Sequence, residues 1–257
     1  MIRNERMTVV SQKEIARNIF ELVLEGGLTS DIGTPGRFVH VRAGEGFDPL
    51  LRRPISIAST DEQAGMMTLI YRAEGKGTRL LAEKSAGGSA DVLGPLGNGF
   101  PADAARPGSK ALLVGGGIGV PPLYGLSKKL KESGVEPVHV LGFQSSDVVF
   151  YEEEFSRLGE THIATVDGSA GEQGFVTDVI KDLGMDFGVY YSCGPMPMLK
   201  AVSGAMAETE GYLSFEERMG CGIGACFACV CHTDANEKGY VKVCSDGPVF
   251  RAGVVNL

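Results

Sequence analysis

Apolar and polar residues alternate over short stretches from Met7 to about Phe100, and turns rich in glycine and proline separate these stretches. A period of two residues is typical of β-strands that bury one face. No long helical period intervenes before Thr78, so this part of the chain predicts a small antiparallel barrel. Its predicted strands are residues 20–25, 36–42, 54–59 and 66–72, and one short helix is predicted at 78–84.

The pattern changes near Ala104, where a continuous apolar run leads into glycines and then into a helical period. Such alternation of buried strands and amphipathic helices indicates an α/β domain with a largely parallel sheet. Strands are predicted at 110–114, 138–143, 162–165 and 188–192, and helices at 123–132, 176–183 and 196–208.

Regular periodicity stops after Tyr212, and the remaining residues are rich in glycine and cysteine. A tail of this length has no room for a core of its own, so a bound metal or a neighbouring domain must order it. The sequence therefore predicts three parts: a barrel domain at 1–104, an α/β domain at 105–212 and a small module at 213–257.

Charge and hydropathy remove several classes of function. The chain of 257 residues has a net charge of −8 and no run of lysine or arginine, which argues against a nucleic-acid partner. No segment approaches the ~20 apolar residues that span a bilayer, and the charged start at 1–6 lacks a signal-peptide core. We therefore expect a cytoplasmic protein without a membrane partner.

Five of the six cysteines fall in one short segment near the C-terminus. Cys221, Cys226 and Cys229 follow the spacing C-x4-C-x2-C, with Cys244 further on, which is the plant-type spacing for a 2Fe-2S cluster. Neighbouring glycines let the backbone wrap the cluster and direct N–H groups at its sulfurs. Zinc is the alternative metal, although zinc sites more often use two C-x2-C pairs. Cys231 is expected to be a spectator thiol.

Two segments of the barrel part have the chemistry that a flavin dinucleotide needs. Residues 52–57 bring two arginines with a proline and a serine, and residues 71–78 bring Tyr71 and Arg72 before a Gly-x-Gly-Thr turn. Cationic groups and N–H donors suit the pyrophosphate, and small polar groups suit the edge of the isoalloxazine. Together, in this order, the two segments indicate an FAD site.

Nicotinamide chemistry is indicated at the ends of two strands of the α/β part. A glycine loop that contains Gly115, Gly116, Gly117 and Gly119 follows an apolar strand and precedes a helix, where a backbone approaches a pyrophosphate closely. A simple tight turn would also explain this loop. A second segment, residues 192–196, again follows a strand.

The residues after the next strand bear on the choice of nucleotide. Residues 144–147 contain no arginine for a 2′-phosphate, whereas Asp147 is suited to accept from a free ribose hydroxyl. NAD is therefore preferred over NADP.

These segments resemble the ferredoxin-reductase-like flavoproteins. The resemblance implies that Arg53 binds the pyrophosphate side of FAD, with Gly77 and Thr78 as phosphate donors. It implies that Pro54, Ile55 and Ser56 line the flavin, with Ile55 where many relatives carry a tyrosine, and that Ile70, Tyr71 and Arg72 flank it. It also implies that Cys193, Gly194 and Pro195 close the nicotinamide pocket and that the Cys193 thiol lies near the reactive carbon, as the candidate catalytic group.

Over nearly the whole chain, the order of the motifs is similar to one subgroup, the electron-transfer subunits of NAD-dependent dihydroorotate dehydrogenases. The resemblance implies a partner subunit with FMN that oxidises dihydroorotate to orotate, in a complex with two copies of each chain. Electrons would pass from FMN through the 2Fe-2S cluster, held by Cys221, Cys226, Cys229 and Cys244, and through FAD to NAD. The segments that resemble the subgroup are residues 53–56, 71–78, 93–100 and 217–226.

Two other functions stay open from the residues. A related electron-transfer subunit would serve a hydrogenase, a sulfide-reducing complex or a ferredoxin pool with the same cofactors. A zinc-stabilised binding module on a redox-inactive α/β scaffold belongs to a different class. The four histidines form no persuasive catalytic constellation with serine, cysteine or aspartate, which favours an electron relay over a hydrolase.

Overall fold

Six antiparallel strands close into a barrel in the order β1-β2-β5-β4-β3-β6, as the alternation predicts. The structure is a computed structural model and describes residues 1–257. A short helix, α1 (Lys76–Ala82), connects β5 to β6 and begins two residues before the predicted start. The strands are β1 (Arg3–Ala16), β2 (Ile19–Glu25), β3 (Phe38–Val41), β4 (Arg53–Asp61), β5 (Met66–Arg72) and β6 (Ser89–Leu96).

Alternate positions of every barrel strand fill the interior with aliphatic side chains. Leu22 and Leu24 do so on β2, Val39 and Val41 on β3, and Leu81 of α1 joins the same cluster. Burying a leucine or valine contributes roughly 1.5–3 kcal/mol, so this one face fixes the strand register. The residues on the opposite face of β3 and β4 are left to contact the rest of the chain.

The second sheet has seven strands in the order β10-β9-β8-β7-β11-β12-β15. All neighbours are parallel except β15, which pairs antiparallel with β12. Its strands are β7 (Lys110–Gly116), β8 (Glu136–Phe143), β9 (Glu160–Thr165), β10 (Glu172–Gln173), β11 (Val189–Cys193), β12 (Gly211–Ser214) and β15 (Val249–Arg251). The helices are α2 (Pro121–Glu132), α3 (Glu152–Ser156), α4 (Val176–Leu183) and α5 (Met196–Ala205), and short 3-10 turns occur at Gly27–Asp31, Ala102–Ala104, Gly117–Gly119 and Ser146–Val148.

Helix α2 shows why this part folds as the pattern predicts. Proline at its first position suits a helix start, and Leu123, Leu126 and Leu130 recur on one face and are fully buried. Lysines in the last turn complement the negative end of the helix dipole. The helix therefore packs on the sheet and leaves the preceding glycine loop at the sheet edge.

The C-terminal residues leave the second sheet and later return to it. Strands β13 (Val230–His232) and β14 (Tyr240–Lys242) form a small hairpin beside the cysteines. The chain then adds β15 to the sheet, and Pro248 pairs with Asn98, which follows β6 of the barrel. The sequence boundary between 212 and 213 falls inside β12. The module is thus joined to both other parts.

No helix of the protein combines the length and the apolar character that a membrane crossing requires.

Candidate functional site

Arg53, at the start of β4, lies against the first turn of α1. A Cβ atom on Gly77 would lie 2.2 Å from Arg53 Nε and 2.5 Å from Arg53 Cζ, so only glycine leaves room for the guanidinium. Thr78 closes the turn, because its Oγ1 accepts from the N–H of Gly75 at 3.1 Å. The two segments that the sequence assigns to the flavin pyrophosphate are therefore adjacent in space.

The other predicted flavin residues divide between the two faces of the barrel. Ile55 and Tyr71 point into the interior, where both are at most 5% exposed, while Pro54 and Ser56 face outward. The hydroxyl of Tyr71 accepts from Gln12 Nε2 at 2.5 Å, and burial raises the pKa of Tyr71 to about 12. The side chain of Ile55 therefore does not take the place of a stacking tyrosine on the barrel surface.

Ile70 and Arg72 connect the barrel to the α/β domain. Ile70 faces outward and packs in a core shared with α2 and β7. The guanidinium of Arg72 is 3.4 Å from where a Cβ on Gly117 would lie. The strand that carries the flavin residues thus reaches the glycine loop directly.

The glycine loop and the second strand-end segment form one close-packed unit. A Cβ on Gly119 would lie 2.3 Å from the carbonyl oxygen of Cys193, and one on Gly116 would lie 2.5 Å from Met198 Sδ. Gly117 has a φ of +53°, which favours glycine. Gly115 similarly lies against Val120. The two segments predicted to bind the nicotinamide nucleotide therefore lie together at one edge of the sheet.

A cleft of about 730 Å³ opens at this edge, between the barrel and the α/β domain. Its lining includes residues that sequence reasoning missed. Phe175, which is 64% exposed, precedes α4, and Met198 and Glu216 also line the cleft. None of the three belongs to a motif, and the sequence offered only an aromatic residue before a predicted helix as a signal. The predicted residues on the lining are Arg72, Gly116, Gly117, Gly119, Gly194 and Pro195.

Cys193 is fully buried at the end of β11 and does not line the cleft. Burial, and then the nearby carboxylate of Glu216, raise the pKa of the Cys193 thiol well above its usual range, so the thiol is neutral at neutral pH. Its carbonyl oxygen, in contrast, packs against Gly119. The catalytic role of the thiol stays a prediction.

Asp147 is already bound by other side chains. Its carboxylate lies 2.7 Å from Arg17 Nε, on the hairpin between β1 and β2, and accepts from Ser145 Oγ at 2.5 Å. Neighbours on both sides, Gln144 and Val148, line the cleft. The predicted contact of Asp147 with a ribose hydroxyl therefore stays a prediction.

Three of the four predicted cluster ligands, Cys221, Cys226 and Cys229, lie in a loop shaped by glycines with left-handed backbone, and Cys244 follows strand β14. Gly222 and Gly224 have φ values of +72° and +81°. The N–H of Gly224 points at Cys244 Sγ, and the N–H of Cys226 points at Cys221 Sγ, both at 3.3 Å. Backbone donors thus approach the sulfurs as the chemistry of a cluster requires.

The ligands approach one another in two pairs: the N–H of Cys226 donates to Cys221 Sγ, and the N–H of Val243, next to Cys244, donates to the carbonyl oxygen of Cys229. Although burial acts to raise it, N–H groups of the loop lower the pKa of Cys221 to about 6. No three or more cysteine, histidine or acidic side chains come together as a metal-ion site in the structure. A 2Fe-2S cluster takes two thiolates on each iron, and the paired arrangement fits it.

Cys231 lies in β13 and packs in the hydrophobic core beside Val241. Lys242, on β14, donates to the carbonyl of Gly224 at 2.6 Å and lies 4.3 Å from the centre of the Phe227 ring. Phe227 and Ile223 are 60% and 51% exposed. The cluster loop is therefore anchored from inside and presents apolar side chains to the outside.

Two family models match the chain. Residues 216–256 match the iron-sulfur cluster binding domain of dihydroorotate dehydrogenase B, and residues 113–204 match the oxidoreductase NAD-binding domain. These matches cover the cysteine loop and the glycine loop, so the chain has an iron-sulfur cluster domain and an NAD-binding domain.

Curated relatives match over the full length of both chains. The electron transfer subunit of dihydroorotate dehydrogenase B (NAD(+)) from Lysinibacillus sphaericus is 64% identical over 258 residues, and that from Bacillus mycoides is 59% identical over 259 residues. Each alignment covers 100% of this chain and 100% of the relative.

Solved structures agree on the fold. A chain of the NADH-dependent reduced ferredoxin-NADP oxidoreductase superposes with a TM-score of 0.86 at 30% identity, covering 97% of this chain and 89% of that chain. The cytochrome P450 reductase GcoB of Amycolatopsis, at 23% identity, has a TM-score of 0.65 over 80% of this chain and 66% of that chain, which shows the fold alone. By its full-length relatives, the chain belongs to the family of electron transfer subunits of NAD-dependent dihydroorotate dehydrogenase B.

Proposed function

We propose that this chain receives electrons from an FMN-containing subunit that oxidises dihydroorotate to orotate, and delivers them to NAD⁺ in pyrimidine biosynthesis. The position of Arg72 carries the proposal: it ends the barrel strand β5, and its guanidinium lies against Gly117 of the glycine loop. A flavin held on the barrel and a nicotinamide held at the loop would therefore share the cleft between the two domains.

The barrel residues have separate tasks in holding FAD. The guanidinium of Arg53, with Gly77 and Thr78, would bind the pyrophosphate, since a planar cation beside free N–H groups suits two phosphates. Pro54 and Ser56 would line the ring from the barrel surface. Ile55, Ile70 and Tyr71 would support that surface from beneath and beside it.

At the sheet edge, the nucleotide would bind along the cleft. The glycines at 115, 116, 117 and 119 let the pyrophosphate approach the start of α2, and Gly194 and Pro195 would border the nicotinamide. Cys193 would position these residues through its carbonyl contact with Gly119. The exposed ring of Phe175 is suited to stack on the adenine.

Cys221, Cys226, Cys229 and Cys244 would hold the 2Fe-2S cluster as two thiolate pairs. When bound, FAD exchanges a hydride with NAD and single electrons with such a cluster. The chain supplies no general base for this exchange. Its residues bind, orient and shield the three groups.

The partner subunit would dock on the cluster loop. Ile223 and Phe227 are exposed there, so the loop that carries three of the ligands offers two apolar side chains to a protein contact. We also propose a complex with two copies of each chain. We propose a cytoplasmic location because all six cysteines are free, and a reducing compartment keeps thiols available. The division into parts at 1–104, 105–212 and 213–257 is also part of the proposal.

A spectrum of the anaerobically purified chain, with and without NADH, tests the relay. One FAD, two irons and two sulfides per chain, bleached by NADH, is the expected result. A colourless protein that contains zinc, even after reconstitution, would contradict it. Copurification with an FMN subunit active on dihydroorotate separates this function from the related hydrogenase, sulfide and ferredoxin complexes.

A further inference from the structure

His40 is a buried histidine with an unsatisfied nitrogen. It lies on β3, is 1% exposed, and its Nε2 atom has no hydrogen-bond partner. Only two other buried side-chain atoms in the protein share this property, Gln12 Oε1 and Arg37 Nε. A buried polar group without a partner is destabilising, so a group outside the polypeptide is expected to pair with it.

The ring of His40 packs on the cluster loop. A Cβ atom on Gly222 would lie 2.7 Å from His40 Cε1 and 2.9 Å from each ring nitrogen. Gly222 follows Cys221 directly, and its left-handed φ of +72° turns the loop at this point. Gly222 of the cluster loop therefore lies directly against the imidazole, and only glycine permits this approach.

His40 also lies beside the flavin segment of the barrel. In the register of β3 with β4 it is opposite Pro54, and Phe38 is opposite Ser56. The side chain of Phe38 packs in the same core as Cys229 and Cys244. His40 thus contacts the cluster loop from a strand that pairs with the flavin segment, and it is the polar residue of the outward face of β3.

The imidazole is neutral and has one N–H to donate. Burial, and then the charge of Arg52, lower the pKa of His40 to about 4. A neutral imidazole carries its single proton on one nitrogen and leaves the other as an acceptor. Cluster sulfurs are acceptors only, so they would favour the tautomer that carries the proton on Nε2.

We propose that the Nε2–H of His40 donates a hydrogen bond to a sulfur of the 2Fe-2S cluster and raises its reduction potential. The inference rests on the proposed binding of the cluster by the four cysteines. The reduced cluster carries one more negative charge than the oxidised cluster, so the donor stabilises the reduced form more. His40 would thereby make the cluster a better acceptor of electrons from the partner subunit.

The test compares His40→Leu, which removes the donor, with His40→Gln, which keeps an N–H. Both are measured in the full chain bound to its catalytic partner, by redox titration of the cluster followed by electron paramagnetic resonance. For His40→Leu we expect the ratio of reduced to oxidised cluster at a fixed potential to fall about tenfold, which is about 59 mV for one electron. His40→Gln should recover much of the shift. His232→Gln, an exposed site in the same module, is the matched control and should leave the potential unchanged.

A second measurement does not depend on the folding of the His40 variants. Wild-type protein labelled with ¹⁵N only in histidine should show a weak ¹⁵N coupling to the reduced cluster by pulsed resonance, retained in labelled His232→Gln. Absence of the coupling in wild type, or an unchanged cluster potential in His40→Leu, would overturn the proposal. A shift confined to FAD would overturn it too, because the partner of Nε2 would then be the flavin. Iron and sulfide analysis of each sample checks the cysteine assignment separately.

Discussion

The guanidinium of Arg53 occupies the space that a side chain at Gly77 would need: a Cβ there would lie 2.2 Å from Arg53 Nε. Arg53 is a flexible side chain, so Gly77→Ala should displace it without unfolding the barrel. We expect FAD to bind about 10- to 100-fold more weakly, as for a lost charge-assisted hydrogen bond of roughly 1.5–3 kcal/mol. Flavin titration of the apoprotein measures this.

Gly46→Ala is the matched control, because a Cβ at Gly46 meets nothing within 4 Å. Its FAD affinity should equal that of the wild type. Equal affinities for Gly77→Ala and Gly46→Ala would show that Arg53 does not bind the pyrophosphate.

Gly119→Ala should impair both NADH binding and the stability of the fold. Here the added Cβ would meet backbone, 2.3 Å from the Cys193 carbonyl oxygen, and neither segment can move without disturbing the sheet edge. We expect the KM for NADH to rise at least about tenfold. The free energy of unfolding should fall by about 1–3 kcal/mol, as for overpacking of a core. Steady-state kinetics and thermal unfolding measure the two effects.

The control for that variant is Gly204→Ala, in α5, where a Cβ has open space. It should stabilise the chain by up to about 1 kcal/mol, since alanine is the better helix former, and leave the KM unchanged. If both alanine variants bind NADH normally, the glycine loop is only a turn.

Cys226→Ser should abolish the cluster and leave much of the FAD bound, because the two sites are on different parts of the chain. Cys231→Ser should retain a normal cluster, as Cys231 packs in the core of the module. Iron, sulfide and flavin analysis distinguishes the two variants. A normal cluster in Cys226→Ser would refute the ligand assignment.

Ile223→Glu tests the docking surface. Ile223 is 51% exposed on the cluster loop, so the change places a charge at the proposed contact without disturbing the packing of the core. Binding to the catalytic subunit should weaken at least about tenfold, as for a buried unpaired charge at an interface. The comparison is Val10→Glu, 40% exposed on the barrel, whose binding should be unaffected. Light scattering of the mixed subunits gives both results, and an intact complex with Ile223→Glu would exclude this face.

Stability should fall in acid through His139, which is buried between Ser127 and Thr161 at hydrogen-bond distances of 2.7 and 2.9 Å. Burial lowers the pKa of His139 to about 3. In the unfolded chain His139 takes up a proton below the ordinary pKa of histidine, whereas in the folded chain it stays neutral. The free energy of unfolding therefore falls as the pH falls below that ordinary pKa. Between pH 7 and pH 5 this one group should lower the free energy of unfolding by about 2 kcal/mol.

His139→Gln removes the titrating group from the same site. Urea unfolding at the two pH values should therefore show a smaller pH dependence for the variant than for the wild type. Equal dependence would mean that His139 is protonated in the folded protein.

Much of this architecture can be predicted from local patterns, and particular elements show why. Strand β5 (Met66–Arg72) and helix α4 (Val176–Leu183) have the predicted bounds, since each has a clear period between turn residues. Strand β1 (Arg3–Ala16) was missed because few of its residues are apolar and only Met7 and Val9 are fully buried. Strand β15 has only three residues and forms through a partner distant in sequence.

For the candidate sites, spacing located the cysteine and glycine loops, because their ligands are close in sequence. Glu216 and Phe175 line the cleft without belonging to any motif. The approach of His40 to Gly222 joins residues far apart in the chain, and no local pattern encodes it. Spacing in the sequence thus locates the two loops, whereas the residues that contact them can be identified only from the fold.

The return of the chain into the second sheet would couple cluster binding to the integrity of the nucleotide domain. Strand β15 covers the edge of β12 and follows Cys244 by only a few residues, so loss of the cluster should loosen this strand. A chain that has not received its cluster would expose that strand edge to proteases and to other chains. Shortage of iron should then reduce the amount of intact subunit as well as its activity.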